Sequence, residues 1–315
     1  MKAVVLGASG QLGQDLLRVF GPGTIGLSHG DLDVADGVAV SRVLREHAPD
    51  WVINTAAFHR VDDCELNPTL AFAVNATGAA NVARAAAEIG AGVVFYSTDY
   101  VFGGETRGRG NPHQETDAPR PLNVYGISKL AGEQMVGLAN PRHVVIRSAG
   151  LYGIATSRKG WTFPELMLNK ARDDGRLRVV TDQTLSPTYT ADLAAATETL
   201  VERDARGVFH VANEGECSWY EFAAATLELA GVSVEIEPTT TTPMPRRALR
   251  PPYSAMRSIR LDEAGVAPLR PWRDALADYL NAKGITGAQC GIRSRVPSRQ
   301  GRVAAPVDTG RRGSA

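Results

Sequence analysis

The chain has 315 residues, of which 43% are hydrophobic and 22% charged, and its 34 basic residues balance its 34 acidic ones. This length is enough for one large α/β domain, or for a large domain with a smaller one. No apolar run reaches the ~18 residues of a membrane span, and residues 1–7 are too short for a secretory signal. We therefore predict a cytoplasmic protein that contacts no membrane.

The charge is distributed unevenly because the end of the chain is basic. Six arginines and one aspartate follow residue 284, which gives this tail +5 and leaves −5 for the rest of the chain. The tail lacks apolar periodicity, so we predict disorder over residues 284–315. The rest of the chain shows neither stacking aromatics nor a basic groove, so we expect no nucleic-acid partner.

The three cysteines, Cys64, Cys217 and Cys290, are widely separated in the sequence. This spacing suits neither a disulfide framework nor a zinc site. We therefore predict buried or inert thiols and no metal site.

The N-terminus predicts a strand, a glycine turn and a helix. An apolar run at residues 2–6 leads into residues 7–13 (GASGQLG), and the apolar residues beyond have helical spacing. Such a turn brings backbone N–H groups and the positive end of a helix close to a pyrophosphate. This pattern predicts a dinucleotide site. Its first cofactor contacts would be Gly7, Ser9, Gly10, Gln11, Leu12 and Gly13.

The second predicted strand, residues 24–28, is not followed by an acidic residue. Ser28 and His29 stand where an Asp or Glu would bind the ribose 2′-hydroxyl, or an Arg the 2′-phosphate, so the choice between NADPH and NADH stays open. Asp33, beside Val34, is a candidate acceptor for the adenine amino group. Its alternative role is to cap a helix over residues 38–44.

The third predicted strand runs from residue 51 into a small-residue loop that includes Ala56 and Ala57, which lets the backbone approach a cofactor closely. An alanine-rich helix over residues 69–88 follows. Asn75 is disfavoured inside such a helix, which indicates either a functional role or an exposed polar position.

The fourth predicted strand, residues 93–96, delivers residues 97–102 (STDYVF) at its carboxyl end, where ligands bind in open parallel sheets. A polar loop over residues 103–120 is long enough to be a mobile lid. The next predicted helix starts at residue 121 and carries Tyr125 and Lys129 on one face, because they are four residues apart. A lysine held there can favour the ionised phenol.

After a fifth predicted strand at residues 143–147, strands and helices no longer alternate regularly along the chain. Helices are predicted over residues 161–172, 192–201 and 218–229, and Ser218 with Glu221 predicts a capping box. Residues 239–250 form an extended loop. We predict an α/β fold, a Rossmann-type doubly wound parallel sheet with a small C-terminal α/β substrate domain that covers the cleft.

These motifs resemble the extended short-chain dehydrogenase/reductases. The resemblance rests on the glycines of residues 7–13, Asn75, residues 97–102 and the pair Tyr125 and Lys129. Within that superfamily the sequence is most similar to the dTDP-4-dehydrorhamnose reductase family. The segments similar to that family's signature are residues 123–126 and 129–133, 182–188, 210–212 with 221–223, and 250–254. The resemblance covers residues 1–280.

The resemblance implies reduction, by NADPH or NADH, of the 4-keto group of a nucleotide-linked 6-deoxy-hexulose. The favoured reaction converts dTDP-4-dehydrorhamnose to dTDP-L-rhamnose or a related deoxysugar. Thr98 would hydrogen-bond the substrate carbonyl and Tyr125 would protonate the developing alkoxide. Lys129 would bind the nicotinamide ribose and lower the pKa of the phenol, and Asn75 would help to hold a water or backbone path.

The resemblance also assigns the remaining contacts and the domains. Ser97, Tyr125 and Lys129 join the cofactor contacts, and Arg250 is the candidate for the substrate diphosphate. The implied substrate contacts are Asp99, Tyr100, Gln183, Arg250 and Ser254. Residues 1–150 would form the NAD(P)-binding Rossmann domain, with later segments returning to it, and residues 151–283 mainly the nucleotide-sugar-binding domain.

The sequence departs from its family at two places beside the cleft. Gly150 stands where many of these reductases carry a tryptophan, and residues 57–62 (AFHRVD) replace a small loop that contains threonine. These departures leave the identity of the substrate's sugar undecided. Asp15 matches only conservatively one of the acidic positions that bridge magnesium in some family dimers, so we predict no metal and either a monomer or a homodimer.

Three other functions compete with reduction. A 4,6-dehydratase needs a further carboxylic acid after Thr98 and Asp99, but Tyr100 follows, which argues against it. An NAD-dependent nucleotide-sugar epimerase shares the threonine, tyrosine and lysine. A non-catalytic regulatory or binding member of the family keeps the fold and loses catalytic groups.

Overall fold

The computed structural model describes residues 1–155, 160–241 and 247–285. Most of the predicted disordered tail, residues 286–315, lies outside these described residues, as does Cys290. Cys64 and Cys217 are both buried with free thiols, which confirms that part of the prediction. In the described ranges, no helix is long and apolar enough to span a membrane.

The strands of the described chain are, in order, β1 (Ala3–Leu6), β2 (Ile25–Leu27), β3 (Trp51–Asn54), β4 (Gly92–Tyr96), β5 (His143–Arg147), β6 (Leu151–Tyr152), β7 (Arg176–Val180), β8 (Thr184–Leu185), β9 (Thr188–Tyr189), β10 (Gly207–His210), β11 (Cys217–Ser218) and β12 (Glu235–Thr239). The helices are α1 (Gln11–Phe20), α2 (Gly37–His47), α3 (Val61–Leu66), α4 (Pro68–Phe72), α5 (Ala79–Glu88), α6 (Val124–Ala139), α7 (Phe163–Asp174), α8 (Thr190–Glu202), α9 (Trp219–Leu229) and α10 (Trp272–Ala282).

A six-stranded parallel sheet forms the centre of the molecule, with strand order β10-β5-β4-β3-β1-β2. Every residue of β1, β3 and β4 is buried, as expected for parallel strands covered on both faces. The chain leaves β1 for β2 on one side and returns to β3 on the other. The carboxyl ends of β1 and β3 therefore flank the crevice in which such sheets bind ligands. The predicted Rossmann-type fold is confirmed.

The second half of the chain builds its own apolar core around three buried aromatic side chains, Tyr152, Phe222 and Tyr279. Helices α7, α9 and α10 surround this core, and β7 pairs in parallel with β12, a strand that falls within no predicted element. Two segments return to the first half: β10 extends the central sheet beside β5, and α8 packs on α1. The division at residue 150 stays a prediction.

The helix predicted over residues 69–88 is interrupted. It consists of α4, a π-helical turn (Ala73–Gly78) and α5. Asn75 lies in the π-helical turn and is fully buried, so the exposed alternative for it is wrong. Such turns bulge a helix locally and are frequent at functional sites.

The helix predicted from residue 121 starts later. Asn123 caps it, since its side chain accepts a hydrogen bond from the Gly126 N–H at 2.8 Å, and α6 begins at Val124. The preceding loop is anchored to the body and does not form a detached lid. Its His113 is buried and donates its backbone N–H to the Ala255 carbonyl at 2.8 Å, and Arg109 pairs with Glu221.

Candidate active site

The glycine turn beside the predicted dinucleotide crevice is packed so closely that its glycines have no room for side chains. Gly7 has φ +78°. A Cβ added there would lie 2.5 Å from the Thr55 Oγ1, and a Cβ at Gly13 would lie 2.6 Å from the Gly7 carbonyl oxygen. At Gly10 the same oxygen would be 3.2 Å away. The turn therefore packs closely on itself and against the loop after β3.

The other predicted cofactor contacts in this turn differ in their exposure and in their hydrogen-bond partners. Ser9 is exposed, whereas the Leu12 side chain is buried in the core, so only its backbone can face a ligand. The Gln11 Nε2 is buried and finds no hydrogen-bond partner among the described residues. An unpaired buried amide nitrogen of this kind indicates a missing acceptor.

The end of β2 is the predicted ribose and adenine side of the crevice. His29 is exposed and Val34 is buried. The Asp33 carboxylate accepts the Ala35 N–H at 2.9 Å, outside the helix, while Asp36 caps α2 by accepting from two backbone N–H groups at 3.0 Å. The capping role considered for Asp33 is therefore wrong, and its exposed carboxylate is free of the helix.

Asn75 connects two sides of the site across the π-helical turn. Its side chain accepts the Phe58 N–H at 2.8 Å and donates to the Phe58 carbonyl at 3.0 Å. It also donates to the Ser128 Oγ at 3.0 Å, and that hydroxyl donates to the Tyr125 carbonyl at 2.8 Å. Asn75 thus holds the loop after β3, which includes the partly buried Ala56 and Ala57, against α6.

Ser97 begins the segment after β4, and its hydroxyl donates to the buried Glu133 carboxylate. Glu133 in turn accepts two hydrogen bonds from Arg147, from Nε at 3.0 Å and from a terminal nitrogen at 2.7 Å. The side chains of this ion pair are only 1% and 4% exposed. Sequence reasoning placed Glu133 in the family signature but missed this role, although its i,i+4 spacing from Lys129 was a visible signal.

Thr98, Asp99 and Tyr125 meet at the carboxyl end of β4. The Thr98 hydroxyl donates to the Asp99 carboxylate at 3.0 Å and accepts the Tyr100 N–H at 3.1 Å. The Tyr125 phenol, on α6, lies beside this segment, where the Asp99 charge acts on it. Helix α6 can come this close because Gly126 has no side chain: a Cβ there would lie 2.2 Å from the Tyr100 carbonyl oxygen. The structure therefore brings the predicted threonine and tyrosine together.

The pKa of the Tyr125 phenol is not lowered. Burial raises it, and the neighbouring Asp99 charge raises it further, while the hydrogen bond with Thr98 opposes the shift. Lys129 lies one turn along α6, with its Nζ 4.0 Å from the centroid of the Phe95 ring. Burial lowers the pKa of Lys129 to about 7, and Glu133 opposes this shift. The net shift of the phenol pKa is upward because burial dominates it, and a lowering contribution from Lys129 stays a prediction.

The predicted substrate contacts lie on both sides of the crevice. The Tyr100 ring packs edge-on against Tyr125, with 5.9 Å between centroids. Ser254, from the C-terminal half, donates to the Asp99 carboxylate at 2.6 Å, and the buried Gln183 donates to the Thr241 hydroxyl at 2.8 Å. The hydrogen bond between Ser254 and Asp99 joins the second half of the chain directly to the segment after β4.

Arg250 is already paired in the structure. Its guanidinium donates to the Asp62 carboxylate at 2.8 Å and to the Ala248 carbonyl at 3.0 Å, and its side chain is 8% exposed. The proposed diphosphate contact would therefore have to compete with Asp62. Gly150, the position of the family tryptophan, has φ +53°, and a Cβ there would lie 2.6 Å from the Leu185 Cδ1, so this backbone is built for glycine.

Comparison with known proteins gives a consistent result. The model of the family described as RmlD substrate binding domain matches residues 1–284. The chain is 42% identical over 287 residues to the dTDP-4-dehydrorhamnose reductase of Mycobacterium tuberculosis (strain ATCC 25618 / H37Rv), covering 89% of this chain and 93% of that protein. It is 40% identical over 285 residues to the spore coat polysaccharide biosynthesis protein SpsK of Bacillus subtilis (strain 168), covering 90% and 98%.

A solved structure agrees with these relatives. The dTDP-4-dehydrorhamnose reductase of Bacillus anthracis str. Ames, in complex with NADP, superposes with a TM-score of 0.84 at 34% identity. The match covers 90% of this chain and all of that one.

Proposed function

The chain belongs to the RmlD substrate binding domain family, and on this premise we propose that it reduces the 4-keto group of a nucleotide-linked 6-deoxy-hexulose with NADPH or NADH. The favoured reaction converts dTDP-4-dehydrorhamnose to dTDP-L-rhamnose or a related deoxysugar. The observation that carries the proposal is the packing of Tyr125 and Gly126, on α6, against the segment after β4 that carries Thr98. The Tyr125 ring lies edge-on to Tyr100, whose backbone N–H donates to the Thr98 hydroxyl.

The residues around the glycine turn fit a dinucleotide. Gly7 and Gly13 let the turn pack closely on itself and on the loop after β3, where a Cβ would clash, and the unpaired Gln11 Nε2 supplies a buried donor for a phosphate or ribose oxygen. The bound cofactor supplies hydride to the carbonyl carbon. Its other proposed contacts are Ser9, Leu12, His29, Asp33, Val34, Ala56, Ala57, Ser97, Tyr125 and Lys129.

The proposed chemistry needs a proton donor and a hydrogen-bond donor at the carbonyl oxygen. Tyr125 protonates the alkoxide oxygen as it forms, and Thr98 holds that oxygen by a hydrogen bond. The Lys129 ammonium, one turn away, stabilises the negative charge left on the phenol. Asn75 keeps the loop after β3 against α6, which maintains the distance between the two halves of the crevice.

The proposed sugar contacts are Asp99, Tyr100, Gln183 and Ser254, with Arg250 near the diphosphate. Tyr100 stands where a dehydratase needs a carboxylic acid, which supports reduction over elimination. Epimerisation and a regulatory role remain the competing functions, and the experiment below separates them. A cytoplasmic location and a monomeric or homodimeric state remain predictions.

The test is to incubate the purified protein with NADPH or NADH and a panel of dTDP-4-keto-6-deoxy sugars. Oxidation of the cofactor in proportion to product supports a reductase, conversion without net oxidation indicates an epimerase, and no turnover of any panel member contradicts the proposal. Tyr125→Phe should lose about 10²- to 10⁴-fold in turnover, the range of one general acid. Cofactor binding, followed by fluorescence titration, should change little.

Tyr96→Phe is the matched control for this variant. The Tyr96 hydroxyl is also buried and hydrogen-bonds Thr197 at 2.7 Å, but it lies on β4 before the proposed site. Its loss should lower stability without a comparable loss of turnover. Near-wild-type turnover by Tyr125→Phe would show that the assignment of Tyr125 is wrong.

A further inference from the structure

The hydroxyl of Thr98 has a fixed hydrogen-bonding capacity, and the structure uses its one hydrogen and one of its two acceptor positions. A threonine hydroxyl donates one hydrogen and accepts two. Thr98 gives its hydrogen to the Asp99 Oδ1 at 3.0 Å and accepts the Tyr100 N–H at 3.1 Å. In this arrangement the single Thr98 hydrogen is directed at Asp99 and away from a substrate carbonyl.

One proton on Asp99 reverses this direction. A protonated carboxyl donates a hydrogen, so Asp99 can then occupy the second acceptor position of Thr98. The Thr98 hydrogen is then released, and the carbonyl oxygen can accept it. An ionised Asp99 cannot donate to Thr98 in this way, because a carboxylate only accepts.

We propose that Asp99 is a positioning residue of the reduction that acts through Thr98, and that it carries a proton in the complex with the keto sugar. This inference rests on the proposed function. It differs from the implied role of Asp99 as a sugar contact, since it assigns Asp99 to the orientation of the Thr98 hydroxyl.

The surroundings of Asp99 suit a proton at neutral pH. The carboxyl is 4% exposed, and burial raises its pKa to about 6 despite hydrogen bonds from Ser254 and Thr98. The groups that face it are the Thr98 hydroxyl, the Ser254 hydroxyl from the C-terminal half and the Tyr125 phenol from α6. Of these only the phenol titrates, and in its neutral form it adds no charge.

Binding calorimetry tests the proton directly. The protein saturated with oxidised NADP is titrated with dTDP-4-dehydrorhamnose at pH 7 in buffers of different ionisation enthalpy. The wild type should take up about 0.9 proton per site, because a group with a pKa of about 6 is only about one-tenth protonated at that pH. Titration with dTDP, which lacks the sugar and its keto group, should take up none.

Asp99→Asn supplies the decisive comparison. Its amide can donate to Thr98 through Nδ2 and accept from Ser254 through Oδ1, so it copies the protonated carboxyl without titrating. It should bind the keto sugar with no proton uptake, and its turnover should lose the decline that the wild type shows as pH rises above about 6. Asp99→Ala cannot orient Thr98 and should lose turnover at every pH.

Ser254→Ala keeps the inference testable if Asp99→Asn does not fold. Removing this hydroxyl takes one hydrogen bond from the ionised carboxylate, so the pKa should rise, the proton uptake at pH 7 should shrink and the decline of turnover should move to higher pH.

Two results would overturn the inference. Equal proton uptake by the wild type and Asp99→Asn, or none by the wild type, refutes it while leaving the proposed function intact. A wild type that neither binds nor reduces the keto sugar refutes the proposed function and this inference together.

Discussion

The buried ion pair between Glu133 and Arg147 should be a main determinant of stability beneath the proposed site. Glu133→Gln removes the negative charge and leaves the Arg147 guanidinium, 4% exposed, without its counterion. The amide still accepts through one oxygen, but its NH2 group replaces an acceptor that Arg147 contacts at 2.7 Å. Breaking a buried pair on one side costs about 3–5 kcal/mol, and we expect about 3 kcal/mol here because one acceptor survives.

The assay is urea unfolding with linear extrapolation, which yields the free energy of unfolding and the m-value. The matched control is Glu88→Gln. Glu88 also pairs with an arginine, Arg45, at 2.8 Å, but the side chains are 43% and 63% exposed, and such pairs contribute about 0–1 kcal/mol. The double variant Glu133→Gln with Arg147→Met removes both buried charges and should recover most of the loss.

The reasoning is refuted if Glu133→Gln costs no more than Glu88→Gln at unchanged m-value. It is also refuted if the double variant is less stable than Glu133→Gln alone, because the cost would then come from lost packing and not from an unpaired charge.

Two further predictions concern packing and pH. Gly132→Ala should lower the free energy of unfolding, because its Cβ would lie 2.2 Å from the Asn75 carbonyl oxygen. Gly137→Ala on the same helix would meet His143 at 3.6 Å, an ordinary contact distance, and should raise the free energy of unfolding by up to about 1 kcal/mol. Equal effects of the two variants in urea unfolding would contradict the close packing at Gly132. Burial lowers the pKa of His210 in the folded protein to about 4. In the unfolded chain a histidine has a pKa of ~6.5, so between these two pH values the unfolded chain binds more protons. The free energy of unfolding should therefore fall as the pH drops from ~6.5 toward 4. His210→Gln should reduce that slope and the exposed His29→Gln should not; an identical slope in both variants would exclude His210 as its source.

Local sequence was enough to predict the parts of this molecule that depend on neighbouring residues. The spacing of apolar residues, the residues that form turns and the residues that cap helices act within a few positions of the chain. The strand, glycine turn and helix at the N-terminus were therefore predictable. So was the capping box of α9, in which Ser218 and Glu221 hydrogen-bond reciprocally. The alternation of predicted strands and helices along the chain also predicted the parallel sheet. The i,i+4 spacing of Tyr125 and Lys129 placed both residues on one helix, α6.

Only the tertiary structure decided which polar groups meet and which protonation states they favour. Asp99 is held by Ser254, 155 residues away, and Arg250 by Asp62, 188 residues away, and no local pattern connects residues so distant in the chain. The direction of the Tyr125 pKa shift depends on burial, and burial is a property of the packed molecule. The sequence by itself therefore determined the fold and the identity of the reactive groups, whereas packing determined their partners and their charge.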